Sequence, residues 1–182
     1  MKVDQVVERF LLSGSAFVPY NRDGVGDQLV VLMANGEKES ISMRAPTFLQ
    51  HLVRSYGSDL TALREIYGRA IGRKYFIPLP LAPQFTLVPF KVRKPIGRQG
   101  TQGWIVSERI QGLRRQTDNS SKLFLAGQHK VNVRQSLDSC QQQLRHVLLV
   151  QHHYHQLERR VRESYFRYHY QPMPRDDGSE LY

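Results

Sequence analysis

The sequence lacks features that would place the protein in several common classes. It has one cysteine, Cys140, and therefore cannot form an internal disulfide. No run of about 18 apolar residues occurs, which excludes a typical transmembrane helix. The first residues mix acids with apolar residues instead of forming the apolar block of a secretory signal. These absences predict a cytoplasmic protein of the reducing cytosol with no membrane partner.

Sequence motifs of common enzymes are absent as well. The glycine-and-lysine segment 68–74 has the wrong spacing for a phosphate-binding P-loop. Gly24 and Gly26 lack the third glycine of a dinucleotide-binding loop, and no Gly-x-Ser-x-Gly nucleophile motif occurs. Cys140 lies on the apolar stripe of a predicted helix and is interpreted as a core residue. We therefore expect a protein that is not an enzyme and has no cofactor.

Positive charge is unevenly distributed along the chain, whose 182 residues carry a net charge of +10. Residues 1–60 contain 6 Lys and Arg against 7 Asp and Glu, whereas residues 61–98 contain 8 against 1. Residues 99–170 contain 11 against 5. Because neutralising phosphates releases counterions and favours binding, a polyanion partner is the preferred explanation. A merely basic protein without such a partner is the alternative.

The pattern of short β-rich runs predicts a sheet-forming first half and centre. Strands are predicted at 14–20, 27–33, 37–43, 103–116 and 121–135. The Asn35-Gly36 and Ala126-Gly127 pairs favour hairpin turns. Prolines between 78 and 89 exclude a helix and restrict any strand there to a short or edge strand, with Phe85 and Leu87 as its best candidates.

Helical patterns are short in the middle of the chain and long near its end. Helices are predicted at 45–57, at 58–68 with Ser58 as the N-cap, and from Leu137 to about Tyr168 with Ser136 as the N-cap. A break of the long helix is considered near 151–156. The sequence therefore predicts an α+β fold with a mostly antiparallel β core, short inserted helices and a long C-terminal helix. One domain is expected over 1–170, followed by a flexible acidic tail over 171–182.

Basic side chains form two groups that are the strongest functional signal. The predicted nucleic-acid contacts are Arg69, Arg73 and Lys74 in the first group and Lys91, Arg93, Lys94 and Arg98 in the second. The second group lies in the glycine-rich stretch 90–104, which contains no acid and ends at Trp104. Such a loop would follow a phosphate backbone or enter a minor groove. Trp104 is interpreted as a structural anchor of the loop's end, and a solvated surface loop is the alternative interpretation of the whole stretch.

Two further patches allow other interpretations. His152, His153 and His155 suggest a metal site with Glu158, although a solvated helix face is preferred because the spacing of strong metal motifs is missing. Arginines mix with aromatic residues near the end of the long helix, at Arg159, Arg160, Arg162, Tyr165, Phe166, Arg167, Tyr168 and Tyr170. This mixture would suit single-strand stacking, but a packed helix end with solvated arginines is preferred.

The order of motifs from about Leu52 to Val150 resembles the ComK family of competence transcription factors. A Gly-Arg element is present at Gly68-Arg69 or Gly72-Arg73, and the Pro-rich approach to a strand reads LPLAPQFTLVP. The further matching motifs are Trp104-Ile105, the Ala126-Gly127 turn, and Ser136 followed by Gln143. The chain departs from the family where Val88-Pro89-Phe90 replaces a Phe-Pro-Thr motif and where Gly103 precedes the tryptophan.

The resemblance implies a transcriptional activator that binds A·T-rich duplex DNA as an oligomer, largely through the minor groove. It would be associated with the nucleoid, and an adaptor with an ATP-dependent protease would control its level. The charge pattern agrees with a nucleic-acid partner. An RNA-binding protein using the same basic surface is the alternative, and a metal-dependent enzyme or sensor rests on the histidines alone.

Overall fold

The computed structural model of the chain describes residues 3–22, 26–94 and 100–169. In these residues the helices are α1 (Val3–Ser13), α2 (Ala45–Ser55), α3 (Leu60–Ile71) and α4 (Leu137–His169), with a short 3-10 helix at Ser107–Arg109. The strands are β1 (Gly14–Arg22), β2 (Gly26–Met33), β3 (Lys38–Ile41), β4 (Leu79–Ala82), β5 (Phe85–Lys91), β6 (Gln102–Val106), β7 (Ile110–Thr117), β8 (Ser120–Leu125) and β9 (His129–Val133). The predicted α+β class with its long C-terminal helix is confirmed. The predicted tail 171–182 lies outside the described residues.

The strands form two sheets in which all described pairings are antiparallel. The larger sheet has the order β3-β2-β1-β6-β5-β4, and the smaller sheet has the order β7-β8-β9. The predicted strand at 103–116 is therefore wrong as a single strand, because the 3-10 helix divides it between the two sheets. The hairpin turns at Asn35-Gly36 and Ala126-Gly127 are confirmed, and both glycines adopt a positive φ.

The larger sheet is buried on both faces, so its strands carry apolar residues without strict alternation. One face packs against α1, α2 and α3 in a cluster that includes Phe17, Leu87 and Trp104. The other face packs against the smaller sheet in a cluster that includes Val88, Phe90 and Ile105. Helix α4 contributes Cys140 and Val147 to this second cluster and Val150 to the first. The molecule is thus a helical layer, a six-stranded sheet and a three-stranded sheet, with α4 joining the two cores.

Proline limits the large sheet in a way that the sequence only partly predicts. Strand β4 is short and lies at the edge, as predicted. Strand β5, however, has seven residues and an internal position although it contains Pro89. The pairing with β4 ends at Leu87, so the missing N–H of Pro89 removes no bond from that ladder.

Three predictions on helices are corrected. The N-cap of α3 is Asp59 rather than Ser58, because the Asp59 carboxylate accepts a hydrogen bond from the Ala62 amide at 2.8 Å. The helix continues through Gly68 to Ile71, and Gly72 ends it in the left-handed conformation. Helix α4 has no break at 151–156. Helix α1 was not predicted from the sequence.

Helix α1 covers the first core through Val6, Val7 and Phe10. The Phe10 ring contacts the rings of Phe17 and Phe48 at centroid distances of 5.4 and 5.7 Å. Among the described helices, none combines the length and the apolar character needed to cross a membrane.

Candidate nucleic-acid interface

The segment that follows α3 holds the first basic group close to the large sheet. Gly72 ends the helix at φ +66°, and the Arg73 amide donates to the Gly68 carbonyl at 2.8 Å. A Cβ atom on Gly68 would lie 2.6 Å from the Arg73 carbonyl oxygen, so only glycine permits this close return of the chain. The two glycines of the Gly-Arg motifs therefore shape the turn that presents Arg73 and Lys74.

Phe76 continues this turn in a conformation that is rare for a bulky side chain, with φ +54°. A buried amide from α4 holds it there. The Gln143 Nε2 atom donates to the Phe76 carbonyl at 2.8 Å and to the Pro89 carbonyl at 3.3 Å, and the Gln143 residue is only 3% exposed. One side chain thus fixes the turn after α3 to strand β5.

Lys91 brings the second basic group to the first. Its Nζ atom lies 5.3 Å from the centroid of the Phe76 ring, a cation–π contact. The backbone of Lys91 is held on both sides, because its amide donates to Gln135 Oε1 at 2.8 Å and its carbonyl accepts from the Arg134 amide at 2.7 Å. Lys74, Phe76 and Lys91 therefore belong to one surface, although they come from separate segments.

The predicted contact residues differ in how they are placed. Arg73, Lys74, Lys91 and Lys94 are exposed. Arg69 is also exposed, but it forms an ion pair with Glu65 one helical turn earlier, which reduces the local positive charge. Arg93 is half-buried, and its Nε atom donates to the Gly100 carbonyl at 2.8 Å. This hydrogen bond joins the two ends of the basic loop. Arg98 lies outside the described residues.

Trp104 lies under this surface with 4% of its area exposed. It pairs with Phe17 on β1 and Pro89 on β5, and it lines two neighbouring clefts of about 240 and 270 Å³. Gly103 beside it is required by packing, because a Cβ atom there would lie 2.9 Å from methyl groups of Val18 and Val92. The tryptophan therefore packs at the base of the hairpin that carries the basic loop.

Three residues join the surface that sequence reasoning did not select. Arg64 lines both clefts beside Trp104, and Tyr75 is 77% exposed between Lys74 and Phe76. Arg134 is exposed next to Lys91. Tyr75 could have been selected from the sequence because it is adjacent to Lys74. Arg134 could not, because its place beside Lys91 depends on contacts between the two sheets. We call the set the α3–β5 surface: Arg64, Arg73, Lys74, Tyr75, Lys91, Lys94 and Arg134.

The positive charge of this surface affects the pKa of a histidine on α4. The pKa of His146 is lowered from its ordinary value, first by burial and then by the positive charge of Arg73. Its Nδ1 atom is buried and has no hydrogen-bond partner within the described structure. His146 is therefore held neutral beneath the edge of the α3–β5 surface at pH 7.

The other two patches of the sequence are placed differently. His153 packs edge-on against the Tyr67 ring at 6.0 Å, whereas His152 lies 2.8 Å from the Gln156 amide nitrogen and His155 lies 3.8 Å from Glu158. Within the described residues, no group of three or more His, Cys, Asp or Glu side chains is arranged to hold a metal ion.

The arginines near the end of α4 have acidic partners on the same helix. Arg159 lies 3.3 Å from Glu163, and Arg162 lies 2.9 Å from Glu158. Arg167 lies beyond the part of α4 whose side chains are described. Exposed pairs of this kind solvate a helix face and reduce its attraction for phosphates.

Comparison with known proteins identifies no relative of this chain. A scan against protein-family models finds no match, and searches of curated proteins and of solved structures find none. Inference about function therefore starts from the α3–β5 surface and from the sequence motifs.

Proposed function

We propose that the protein is a DNA-binding transcriptional regulator that contacts A·T-rich duplex DNA through the α3–β5 surface. The observation that carries the proposal is the contact of Lys91 with the Phe76 ring, which places the second basic group beside the turn that carries the first. Lys74 precedes Phe76 by two residues, so charges that are distant in sequence belong to one surface. Converging lysines and arginines attract the phosphate backbone and release its counterions.

A duplex with a narrow minor groove suits the charge of this surface. Lys91 ends strand β5 and Lys94 follows three residues later, and both side chains are exposed to a groove that is about 6 Å wide in B-DNA. Narrow A·T tracts have an enhanced negative potential that attracts inserted Lys and Arg side chains. Tyr75 offers an exposed ring that can lie against sugars or bases.

RNA binding receives less support from the arrangement of the arginines. The α4 residues that would suit single-strand stacking include Arg159 and Arg162, both paired with glutamates. The α3–β5 surface presents one exposed aromatic ring, Tyr75, among its seven residues. Binding of single strands would be expected to use several stacking rings along a groove.

The regulatory part of the proposal rests on the resemblance to the ComK family. Under it, the protein is a cytoplasmic, nucleoid-associated activator that works as an oligomer. Removal by an adaptor and an ATP-dependent protease would control its level. These features are proposed from the motifs between Leu52 and Val150, beside the basic surface that supports DNA binding itself.

The test is fluorescence anisotropy with two labelled duplexes, one with A·T tracts and one rich in G·C, titrated across salt concentrations. We expect preference for the A·T duplex and a steep fall of log K with log salt. Equal, weak binding of both duplexes would contradict minor-groove recognition. Tighter binding of single-stranded RNA than of either duplex would favour the RNA alternative, and absence of nucleic-acid binding would refute both.

The matched variant combines Lys74→Gln, Lys91→Gln and Lys94→Gln. Its salt slope should be smaller by up to about 2.7, which is about 0.9 for each lost phosphate contact. Arg93 is left unchanged, because its bond to the Gly100 carbonyl makes its replacement a change of loop structure. The control removes three exposed charges elsewhere, by Lys38→Gln, Arg54→Gln and Arg160→Gln. An equal loss in control and variant would show that net charge, not this surface, drives binding.

A further inference from the structure

The three-stranded sheet has one apolar face and one basic face. Alternate residues of β8 and β9 are buried in the second core, among them Leu123, Leu125, Val131 and Val133. The residues between them point to the opposite side, because successive side chains of a strand alternate between faces. On that side Arg114, Lys130 and Asn132 are exposed, whereas Lys122 and Phe124 are half-buried.

The pairing of the three strands shows which residues lie together on the outward side of the sheet. Arg114 on β7 is paired with Lys122 on β8, which is paired with Asn132 on β9. Phe124 is paired with Lys130. Arg134 lies one residue beyond the end of β9 and is exposed. We call this set the outer sheet face: Arg114, Lys122, Phe124, Lys130, Asn132 and Arg134.

Charge on the outer sheet face has one sign among the described residues. Four of its six members are Lys or Arg, and none is Asp or Glu. The one acid in the sequence from 110 to 134, Asp118, lies at the β7–β8 turn, 3.8 Å from Arg115. Arg115 is paired with the buried Ser121 and so belongs to the other side of the sheet. Like charges directly across strands destabilise a sheet, so the pairing of Arg114 with Lys122 is a cost that a ligand would remove.

An aromatic ring lies at the centre of these charges. Phe124 is half-buried, and the guanidinium of Arg114 lies 5.6 Å from its ring centroid. This cation–π contact joins β7 to β8 on the outward side, while Arg114 stays exposed. The face therefore combines an aromatic ring and its cation–π partner with three further positive charges.

The outer sheet face is continuous with the α3–β5 surface. Arg134 belongs to both, since its amide donates to the Lys91 carbonyl at 2.7 Å. From Lys130 to Val133, the end of β9, the strand covers about 10 Å at 3.3 Å per residue. That length of duplex axis carries about three phosphates per strand, at one per 3.4 Å. The end of β9 therefore brings the outer sheet face up to the Lys91 end of the α3–β5 surface.

We propose that the outer sheet face is a second, sequence-independent contact for the phosphate backbone of the same duplex. The inference rests on the proposed function, and it extends the DNA contact beyond the residues that the sequence motifs single out. The first surface enters the groove and selects sequence, whereas the sheet face holds phosphates and sets the orientation of the protein.

The experiment compares four forms of the full chain, namely wild type, the Lys74, Lys91 and Lys94 variant, a face variant and a control, by anisotropy with the A·T and G·C duplexes across salt. The face variant is Arg114→Gln with Lys122→Gln and Lys130→Gln, and its expected salt slope is smaller by about 2 to 3. Its preference for the A·T duplex should remain, because phosphate contacts carry no sequence information. The control is the Lys38→Gln, Arg54→Gln and Arg160→Gln variant, and thermal melts verify that all forms are folded.

Failure of this inference is distinguishable from failure of the proposed function. If the face variant matches the control while the Lys74, Lys91 and Lys94 variant loses binding, the sheet face is not a DNA contact and the proposed function stands. If wild type binds neither duplex, both proposals fail. If the face variant loses affinity for single-stranded RNA but not for duplex DNA, the face serves a different ligand and the inference is wrong.

Discussion

At the scale of residues, the side chain of Gln143 organises the candidate site although it carries no charge. Its amide reaches two carbonyls, on Phe76 and Pro89, that belong to different segments. Both carbonyls lie beyond the end of the β4–β5 pairing at Leu79 and Leu87, so on this edge β4 supplies no donor to them. A buried carbonyl without a donor is costly, so the glutamine stabilises both segments at once.

Replacing this residue should therefore affect stability and binding together. We expect Gln143→Leu to lower the free energy of unfolding by about 1–3 kcal/mol, because two buried carbonyls lose their donor. Urea denaturation measures the change, and duplex affinity should also fall as the turn carrying Lys74 moves. Gln142→Leu, at an exposed position of the same helix, is the control. Equal stability of the two variants would contradict the role of Gln143.

His146 gives the protein a specific pH dependence. Its pKa in the folded protein is lowered by burial and by Arg73, whereas in the unfolded chain it is near the ordinary value of 6.5. As the pH falls below about 6.5, the unfolded chain takes up the proton first, so folding becomes less favourable until the lowered pKa is reached. Above that range His146 is neutral in both the folded and the unfolded chain, so its contribution to the free energy of unfolding is constant.

The corresponding measurement is unfolding by urea at pH values from 7.5 to 5. The loss of stability on acidification should be smaller in His146→Gln than in wild type, while His51→Gln should follow wild type. A His146→Gln variant with the same pH dependence as wild type would show that this histidine is not held neutral by the fold.

At the scale of elements, helix α3 and the turn after it depend on one glycine in the helix. Alanine at position 68 would favour the helix by about 1 kcal/mol in an exposed position. At this position its Cβ atom would lie 2.6 Å from the backbone oxygen of Arg73, an atom that cannot rotate away. The steric cost outweighs the gain in helix propensity, because the backbone of the turn has to move.

We expect Gly68→Ala to destabilise the protein by about 1–3 kcal/mol and to weaken duplex binding by displacing Lys74. Chemical denaturation and anisotropy measure the two effects. Gly100→Ala is the control, since among the described residues no atom beyond its chain neighbours lies within 4 Å of a Cβ placed there. A Gly68→Ala protein as stable as wild type would mean that the turn adapts without cost.

At the scale of the whole molecule, helix α4 continues beyond the residues that it contributes to the cores. Its first half contributes Cys140, Val147 and Val150 to the cores. Its second half exposes Leu157, Val161 and Tyr165 at intervals of four residues. Contiguous apolar surface of this kind marks an interaction site, and the same stripe on a second copy of the chain is a matching partner.

We therefore expect the protein to self-associate through α4, as the resemblance to the ComK family also implies. Leu157→Glu with Val161→Glu should give monomers by light scattering, because two buried like charges oppose pairing. Gln142→Glu with Gln156→Glu adds the same charge at exposed polar positions and should leave the oligomer intact. A monomeric wild type at micromolar concentration would contradict this expectation.

The sequence by itself determined the elements whose signals are local. The α+β class follows from the β-rich runs and the long stretch without proline or glycine, and both hairpin turns follow from glycines that accept a positive φ. The excess of positive charge near the centre was equally visible. Single residues were less certain, as shown by Asp59 rather than Ser58 at the start of α3, because neighbouring residues can both serve as caps.

Only the tertiary structure decided which basic residues share a surface. Lys91 contacts Phe76, two residues after Lys74, because Gln143 joins the turn after α3 to β5. This is a contact between distant segments that spacing does not encode. The division of 103–116 between two sheets likewise created the outer sheet face. Local propensity specifies turns and helices, but the joint packing of both sheets with α4 sets the distances between charges, and those distances define the site.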